Sequence, residues 1–496
     1  MPAPGSLSIS SPRADYVLLD NAPMGRRQYW IWLLASGGTL LDGLSIFSLG
    51  VAMPLVTSQF GLSSLMVGLI GSALVLGAVF GAAFGGPAAD RFGRKPAFLI
   101  DMTLIAVGAL VSASADKSHW VLLGQLLVGI GIGIDFPVSA SYVSEMMPKR
   151  ARSRMVVATI ALQSVGMLVG AAIAIMVLQQ WTSLSDWRLF VGVTGAGALL
   201  FLLFRFRLPE SPRWLAEQES GKKAARNATL VVAGGNSVSA MLSSTEIAPT
   251  TERAAATPQQ GRFDLLFSRS YRSRTLLVSV PWFLMDIATY GVGLFTPVIL
   301  GAIHLSAATT GPLAAEFIDV RGTAAIDVFL LVGFVVGLWA VPRFGRLHMQ
   351  AAGFIGMTFG MLILLFAVLA GGGAAAHVPL IFAGFIFFNL AMNAGPNATT
   401  FALSSELFPT GIRASASGFA AATAKVGATL GIFVLPQVKE YWGVAAVLAM
   451  MATVSLLGAA VTAILSREVR EVPEGKGLDE VADGSSFEPN KQNDRT

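Results

Sequence analysis

Twelve apolar runs of roughly 18–28 residues constrain this chain more than any other feature. A helix rising about 1.5 Å per residue needs about 20 such residues to cross the hydrocarbon core of a bilayer. The runs fall at 29–56, 62–87, 96–114, 119–147, 154–180 and 188–206, and after a polar stretch at 274–302, 322–341, 350–370, 378–404, 415–437 and 442–466. The first is too long for a signal-peptide core and lacks a small-residue cleavage pattern, so it reads as a helix. The predicted organisation is a tail at 1–28, a six-helix half at 29–206, a connection at 207–273, a second six-helix half at 274–466 and a tail at 467–496. The fold class that follows is an all-α membrane protein of twelve transmembrane helices in two pseudo-symmetric halves.

Composition supports this and removes other classes. Hydrophobic residues make up 54% of the chain and charged residues 13%, too few charges to cover a soluble protein of 496 residues. The many glycines suit close approach between packed helices. The net charge of +5 is no sign of nucleic acid, because the basic residues sit in short segments between apolar runs. Arg26, Arg91, Arg94, Lys149, Arg205, Arg343 and Arg413 are among those on one side, whereas Lys117, Arg188, Arg321 and Lys439 fall on the other. The positive-inside rule then predicts both termini, the 207–273 connection and the 467–496 tail in the cytoplasm. A multi-pass protein of a bacterial inner membrane, acting as a monomer, is expected. Cysteine is absent, which excludes disulfides and thiolate metal sites. The four histidines, His119, His304, His348 and His377, lie near helix ends or in loops without metal-ligand spacing. With no nucleophile motif and no phosphate-binding G-x-x-x-x-G-K-[ST] loop, no enzyme, ATP-driven pump, cofactor or metal site is expected.

Two repeated motifs show an internal duplication. Asp90-Arg-Phe-Gly-Arg94 after the second run reappears as Pro342-Arg-Phe-Gly-Arg346 after the eighth. Ser144-Glu145-Met-Met-Pro148-x-x-x-Arg152 after the fourth reappears as Ser405-Glu406-Leu-Phe-Pro409-x-x-x-Arg413 after the tenth. Parallel halves of this kind place a substrate site at their interface, near the membrane midplane.

Charges inside the runs carry the chemistry, because each costs roughly 2.5–3.5 kcal/mol on insertion scales and survives where it has a use. Asp42, Asp135, Asp286 and Lys425 lie near the middle of their runs; Asp42 and Asp286 occupy the equivalent first helix of each half. Asp101 and Asp327 lie closer to helix ends and are expected to reach interfacial water. Three acids and one base at similar depth make a site with two excess negative charges, so an anion can approach Lys425 only when an acid takes up a proton. A purely structural Asp135–Lys425 pair is the plain alternative. Trp282 and Tyr290, four residues either side of Asp286, share its helix face, though apolar packing explains an aromatic there equally well. Gln163, Asn393 and Asn397 read either as ligands or as hydrogen-bonding glue between helices. The glycines 129, 131 and 133 lie in a membrane run without a preceding strand, which argues for helix packing rather than a nucleotide loop.

Gly86-x-x-x-Asp90-Arg-x-Gly-Arg94-Lys95 resembles the loop signature of the major facilitator superfamily, and Pro209-Glu-Ser-Pro-Arg-Trp-Leu215 is similar to the motif of its sugar porters. A narrower resemblance is to the phosphate:proton symporters, carried by Gly129–Ala140, Trp282–Tyr290, Asn393–Phe401 and Ala424–Ala428. It implies that Asp135, Gln163, Trp282, Asp286, Tyr290, Asn397 and Lys425 line a substrate site, and that Asp42, Asp135 and Asp286 handle protons. It also implies that Asp90, Arg91, Arg94, Glu145, Arg152, Glu406 and Arg413 act as a gate at the cytoplasmic end. The chain departs from the pattern at Phe136, where tyrosine is usual, at Ile134 for glycine, at Gln125 for arginine and at Pro342 for an acid. The resemblance implies a proton-coupled symporter of a small anion such as phosphate or an organic acid, whose partners are that solute, protons and the lipid bilayer. A sugar or other neutral-solute porter is the alternative within transport, and a transporter-like nutrient sensor the alternative outside it; the 207–273 connection and the tail leave no room for a signalling domain.

Overall fold

The structure, a computed structural model, describes residues 19–180, 183–218, 263–302, 312–370 and 377–469. The first half comprises α1 (Arg26–Ala35), α2 (Gly37–Phe60), α3 (Ser64–Phe92), α4 (Arg94–Ala113), α5 (Ser118–Met146), α6 (Arg152–Gln180) and α7 (Trp187–Arg205). A short α8 (Pro212–Glu217) follows. The second half comprises α9 (Arg272–Ala302), α10 (Pro312–Phe344), α11 (Arg346–Leu369), α12 (Val378–Ala394), α13 (Pro396–Glu406) and α14 (Thr410–Leu465). Ten stretches among the described residues are long and apolar enough to cross a bilayer, α14 supplying two and α12 with α13 one. Helices α9 and α10, of 31 and 33 residues, complete the twelve. Large apolar side chains on the outer faces, such as Phe84, Leu203, Phe366 and Leu369, are more than half exposed, which in a folded chain marks a surface for lipid.

Two spans differ from the uninterrupted helices expected. The first is broken at Ser36, between α1 and α2. The tenth is broken at Gly395, because Pro396 has no N–H to continue the ladder. The 219–262 part of the central connection, the tails before residue 19 and after 469, and His304 lie outside the described residues, as does the side chain of Asp327.

The repeated Arg-Phe-Gly-Arg motif has a direct structural cause. Gly93 and Gly345 adopt φ of 102° and 85°, each turning the chain between two helices with a single residue. Only glycine takes that conformation without strain. Elsewhere glycines let backbones touch. A Cβ on Gly129 or Gly133 would collide with the Leu74 or Ala78 carbonyl of α3, and one on Gly131 would crowd the Asp101 carbonyl of α4. The glycine run is therefore the seam by which α5 packs against two neighbours at once, with van der Waals contact supplying the attraction that water would supply elsewhere. Between the halves, Gly86 sits against the Ala414 carbonyl and Gly418 against that of Ala82. This brings α3 and α14 into contact along the interface.

Candidate functional site

Lys425, on the first part of α14, reaches across to α9. Its Nζ donates to the Tyr290 hydroxyl at 2.9 Å and to Asp286 Oδ2 at 3.4 Å. It also lies 5.1 Å from the ring centre of Phe136 on α5 and 4.9 Å from that of Tyr290. Aromatic faces so placed stabilise a cation. Two of the ammonium's three donors are engaged, by Tyr290 and by Asp286. Phe136, Trp282 and Phe401 form an edge-to-face triangle with ring centres 6.2–6.4 Å apart, so three elements from both halves wall the site. The shared face of Trp282, Asp286 and Tyr290, inferred from four-residue spacing, is the face that α9 turns to this site.

Asp42 lies opposite, on α2, where Gln163 of α6 donates to it at 2.5 Å. Asp42, Asp286 and Lys425 are only 1%, 3% and 6% exposed, and both acids feel the charge of Lys425. Helices α2 and α6 come close enough for this pair because Gly43 abuts the Gln163 carbonyl and Gly166 that of Leu40. Asn397 donates to Asn393 at 2.8 Å, and Asn393 to the Asn389 carbonyl at 3.0 Å. The two asparagines thus bond along their own broken span, and Asn397 is half-buried.

Asp135 is placed differently from the expectation. No ion pair joins it to Lys425 among the described residues; it accepts from Arg205 at 2.7 Å instead. Asp101 is fully buried rather than in contact with interfacial water, and also pairs with Arg205, at 2.9 Å. Arg205 read in the sequence as one more orienting charge at a helix end. In the structure its side chain turns inward and is fully buried. The signal that would have found it is the pair of acids on neighbouring spans with no basic partner of their own. The site around Lys425 consequently holds Asp42 and Asp286 against one cation, an excess of one negative charge rather than two.

The repeated motifs assemble at the end of the bundle that carries the basic loops. Arg94 bridges Asp90 at 3.1 Å and Glu145 at 2.9 Å, and Arg413 of the second half joins the same Glu145 at 3.0 Å. Asp90 in turn accepts from the N–H groups of Ala414 and Ser415 and from the Ser415 hydroxyl, all across the interface. The duplicated pair in the second half is Arg346–Glu406 at 2.6 Å. The duplication is not carried to its end. Arg152, the counterpart of Arg413, does not reach Glu406 but pairs with Asp20, which also binds Arg213. Arg91 is exposed over the Phe92 ring and stands apart from this cluster.

Glu210 was not singled out from the sequence. Its carboxylate accepts from the N–H groups of Arg94 and Lys95 at 3.0 and 3.1 Å, capping the positive end of α4. Burial pushes this carboxyl up from its ordinary value, against the opposing pull of those donors and of Arg94. A Cβ on Gly93 would strike the same carboxylate. Gly93→Ala therefore combines an unfavourable φ, costing about 1–3 kcal/mol, with loss of the cap, and is expected to lower the melting temperature of the detergent-solubilised protein. An unchanged melting curve would refute the capping role.

Comparison with known proteins agrees with the architecture. The family model described as "Sugar (and other) transporter" matches residues 34–476. The chain is 28% identical over 457 residues to the inner membrane metabolite transport protein YgcS of Escherichia coli, covering 92% of this chain and 95% of that protein. It is 28% identical over 463 residues to the repressible high-affinity phosphate permease of Neurospora crassa, covering 83% and 78%. In structure it resembles the major facilitator superfamily proton:xylose symporter XylE bound to 6-bromo-6-deoxy-D-glucose, with a TM-score of 0.73 at 20% identity, covering 92% of this chain and 98% of that one. The chain belongs to the sugar (and other) transporter family, as a multi-pass membrane protein with the fold of the major facilitator superfamily.

Proposed function

We propose that the chain is a proton-coupled symporter of a small anion, inorganic phosphate or an organic acid, working by alternating access. The observation that carries this reading is the buried Lys425 ammonium, held by Tyr290 and Asp286 between the two halves. A permanent cation in a dry site attracts an anion, and Asp42 and Asp286 repel it while both are ionised. Protonation of one acid removes the excess negative charge and lets the anion dock on Lys425. Departure of the anion on the other side restores the repulsion, which expels the proton. Gln163, Asn397 and Trp282 complete the site by hydrogen bonds and by an apolar wall. The name of the Neurospora crassa relative, a phosphate permease, supports the same substrate class.

The Arg94–Glu145–Arg413 cluster acts as the latch of the closed end, which we take to be cytoplasmic from the distribution of basic residues, with both termini on that side. The halves at 29–206 and 274–466 are then the rocking bodies, joined by 207–273. We take the chain to reside in an inner membrane, as its Escherichia coli relative is named, and to act as a monomer.

A test is uptake of labelled inorganic phosphate by the purified protein in liposomes under an imposed pH gradient, competed by organic acids and by sugars. Gradient-driven uptake competed by anions is expected. Uptake indifferent to the gradient, or no competition by any anion, would overturn the proposal. A neutral-solute porter is the second reading, favoured by the aromatic triangle beside two amide side chains, and competition by sugars alone would establish it. Phe136→Tyr adds a hydroxyl beside Lys425. It is expected to tighten apparent phosphate affinity about two- to tenfold, as one extra hydrogen bond does; weaker affinity would place the anion elsewhere.

A further inference from the structure

A second cluster of charge lies inside the first half and takes no part in the Lys425 site. Arg205 ends α7 with every N–H of its guanidinium engaged. Nε donates to the Leu34 carbonyl, and Nη2 to the Ala35 carbonyl and to Asp135. Nη1 donates to both oxygens of Asp101 and to the Phe98 carbonyl, and the guanidinium lies 4.2 Å from the Phe98 ring centre. Among the described residues the second oxygen of Asp135 has no hydrogen-bond partner, although the side chain is 2% exposed. The Asp101 and Asp135 carboxyls accept from the two terminal nitrogens of this one guanidinium, which sets them side by side.

Two carboxylates against one guanidinium leave an excess negative charge where water is excluded, and Arg205 has no donor left to compensate it. Two carboxyl groups that meet can bond to one another only through a proton, as in pairs of acids that share a single proton. The other titratable groups facing the cluster are Asp42 from α2 and Tyr142 on α5.

We propose that Asp101 and Asp135 share one exchangeable proton, with Arg205 as fixed counter-charge, and that this pair is a proton-carrying site of the transporter separate from the Lys425 site. The proposal rests on the proton-coupled reading of the function. Loading converts one carboxylate to a carboxylic acid that hydrogen-bonds the other; release breaks only that O–H bond and delivers the proton to water. The geometry also supplies a way for the loaded state to be felt. Arg205 holds the last two carbonyls of α1 at the Ser36 break, and the Asp135 carboxyl lies so close to Gly38 that a Cβ there would collide with it. A change in charge on the pair therefore acts on the start of α2, the helix that carries Asp42.

The proton can be observed without any substrate, so the test does not depend on which solute is carried. Infrared difference spectra of the purified full-length protein are recorded across a pH titration, with wild type compared with Asp101→Asn, Asp135→Asn and Asp101→Glu. Wild type is expected to show the C=O stretch of a buried protonated carboxyl that disappears with rising pH. Each Asn variant should remove or shift that band, and Asp101→Glu should retain it at a new position. Identical bands in wild type and both Asn variants would overturn the proposal, as would a wild type with no titrating carboxyl. Gel filtration of each variant identifies any that fail to fold, and Asp101→Glu then decides. In liposomes, Asp101→Asn is expected to cut pH-gradient-driven phosphate uptake about tenfold or more while phosphate-for-phosphate exchange persists. Absence of phosphate uptake in wild type would count against the anion reading but not against the shared proton, which the infrared titration judges alone.

Discussion

Lys425→Ala is expected to abolish anion-driven transport and also to destabilise the protein, and the two effects are separable. Removing the ammonium takes the direct docking group from the anion and leaves the buried Asp286 without its partner at 3.4 Å. Stranding one member of a buried pair costs about 3–5 kcal/mol. As binding, a loss of that size exceeds about a hundredfold. The expected results are no detectable phosphate uptake and a lower melting temperature in detergent. The double variant Lys425→Ala with Asp286→Asn removes both charges and is expected to recover much of the melting temperature but none of the anion uptake. If the double variant also recovered uptake, Lys425 would be a structural partner of Asp286 and nothing more. Retained binding of a neutral sugar by Lys425→Ala, with phosphate without effect in wild type, would transfer the site to the neutral-solute reading.

The second large effect concerns the latch. Glu145 is fully buried and receives Arg94 from its own half and Arg413 from the other, and Arg413 is the cation that crosses the interface among the described ion pairs. Arg413→Ala leaves Arg94 to hold Glu145 alone and removes the cross-half pair, a loss of about 1.5–3 kcal/mol, that of a hydrogen bond between charged groups. Moving a two-state equilibrium from 1:99 to 99:1 takes about 5.5 kcal/mol, so this loss populates the open form substantially without making it exclusive. Because the chain contains no cysteine, Arg150→Cys in the first half and His348→Cys in the second would carry the only labels on the motif-bearing end. Spin-label distances between them are expected to gain a longer component in Arg413→Ala. A distribution identical to that of the parent would show that the Asp90 bonds to Ala414 and Ser415 suffice to keep this end closed. Arg152→Ala, whose partner Asp20 lies in the same half, should leave the distances unchanged.

The contrast between Arg413 and Arg152 shows where sequence reasoning reaches its limit. The two occupy equivalent places in a repeated motif, so the sequence treats them alike. Which of them crosses the interface depends on how the halves lean on one another and on Asp20, a residue from outside both repeats. Arg91 illustrates the same point inside one motif: three residues from the buried Arg94 and across the Gly93 turn, it is exposed and lies over the Phe92 ring. By contrast, the convergence of Trp282, Asp286 and Tyr290 was legible in advance, because four-residue spacing on a helix is a local rule that packing does not change.

What the sequence by itself determined is the set of spans, their duplication, the glycine seams and the presence of one lysine and three acids near the middle of their spans. Each is written in length, period or spacing along one helix, and the bilayer enforces it by penalising any unsatisfied backbone or unpaired charge. What only the tertiary structure decided is the partner of each charge. Arg205 reads as an orienting charge at a helix end, yet its long side chain turns inward to Asp101, Asp135 and the broken start of the first span. The direction it takes is set by which helices stand beside α7, and that is a fact about packing in three dimensions. Through it the charges divide into two separate sites, one around Lys425 and one around Arg205.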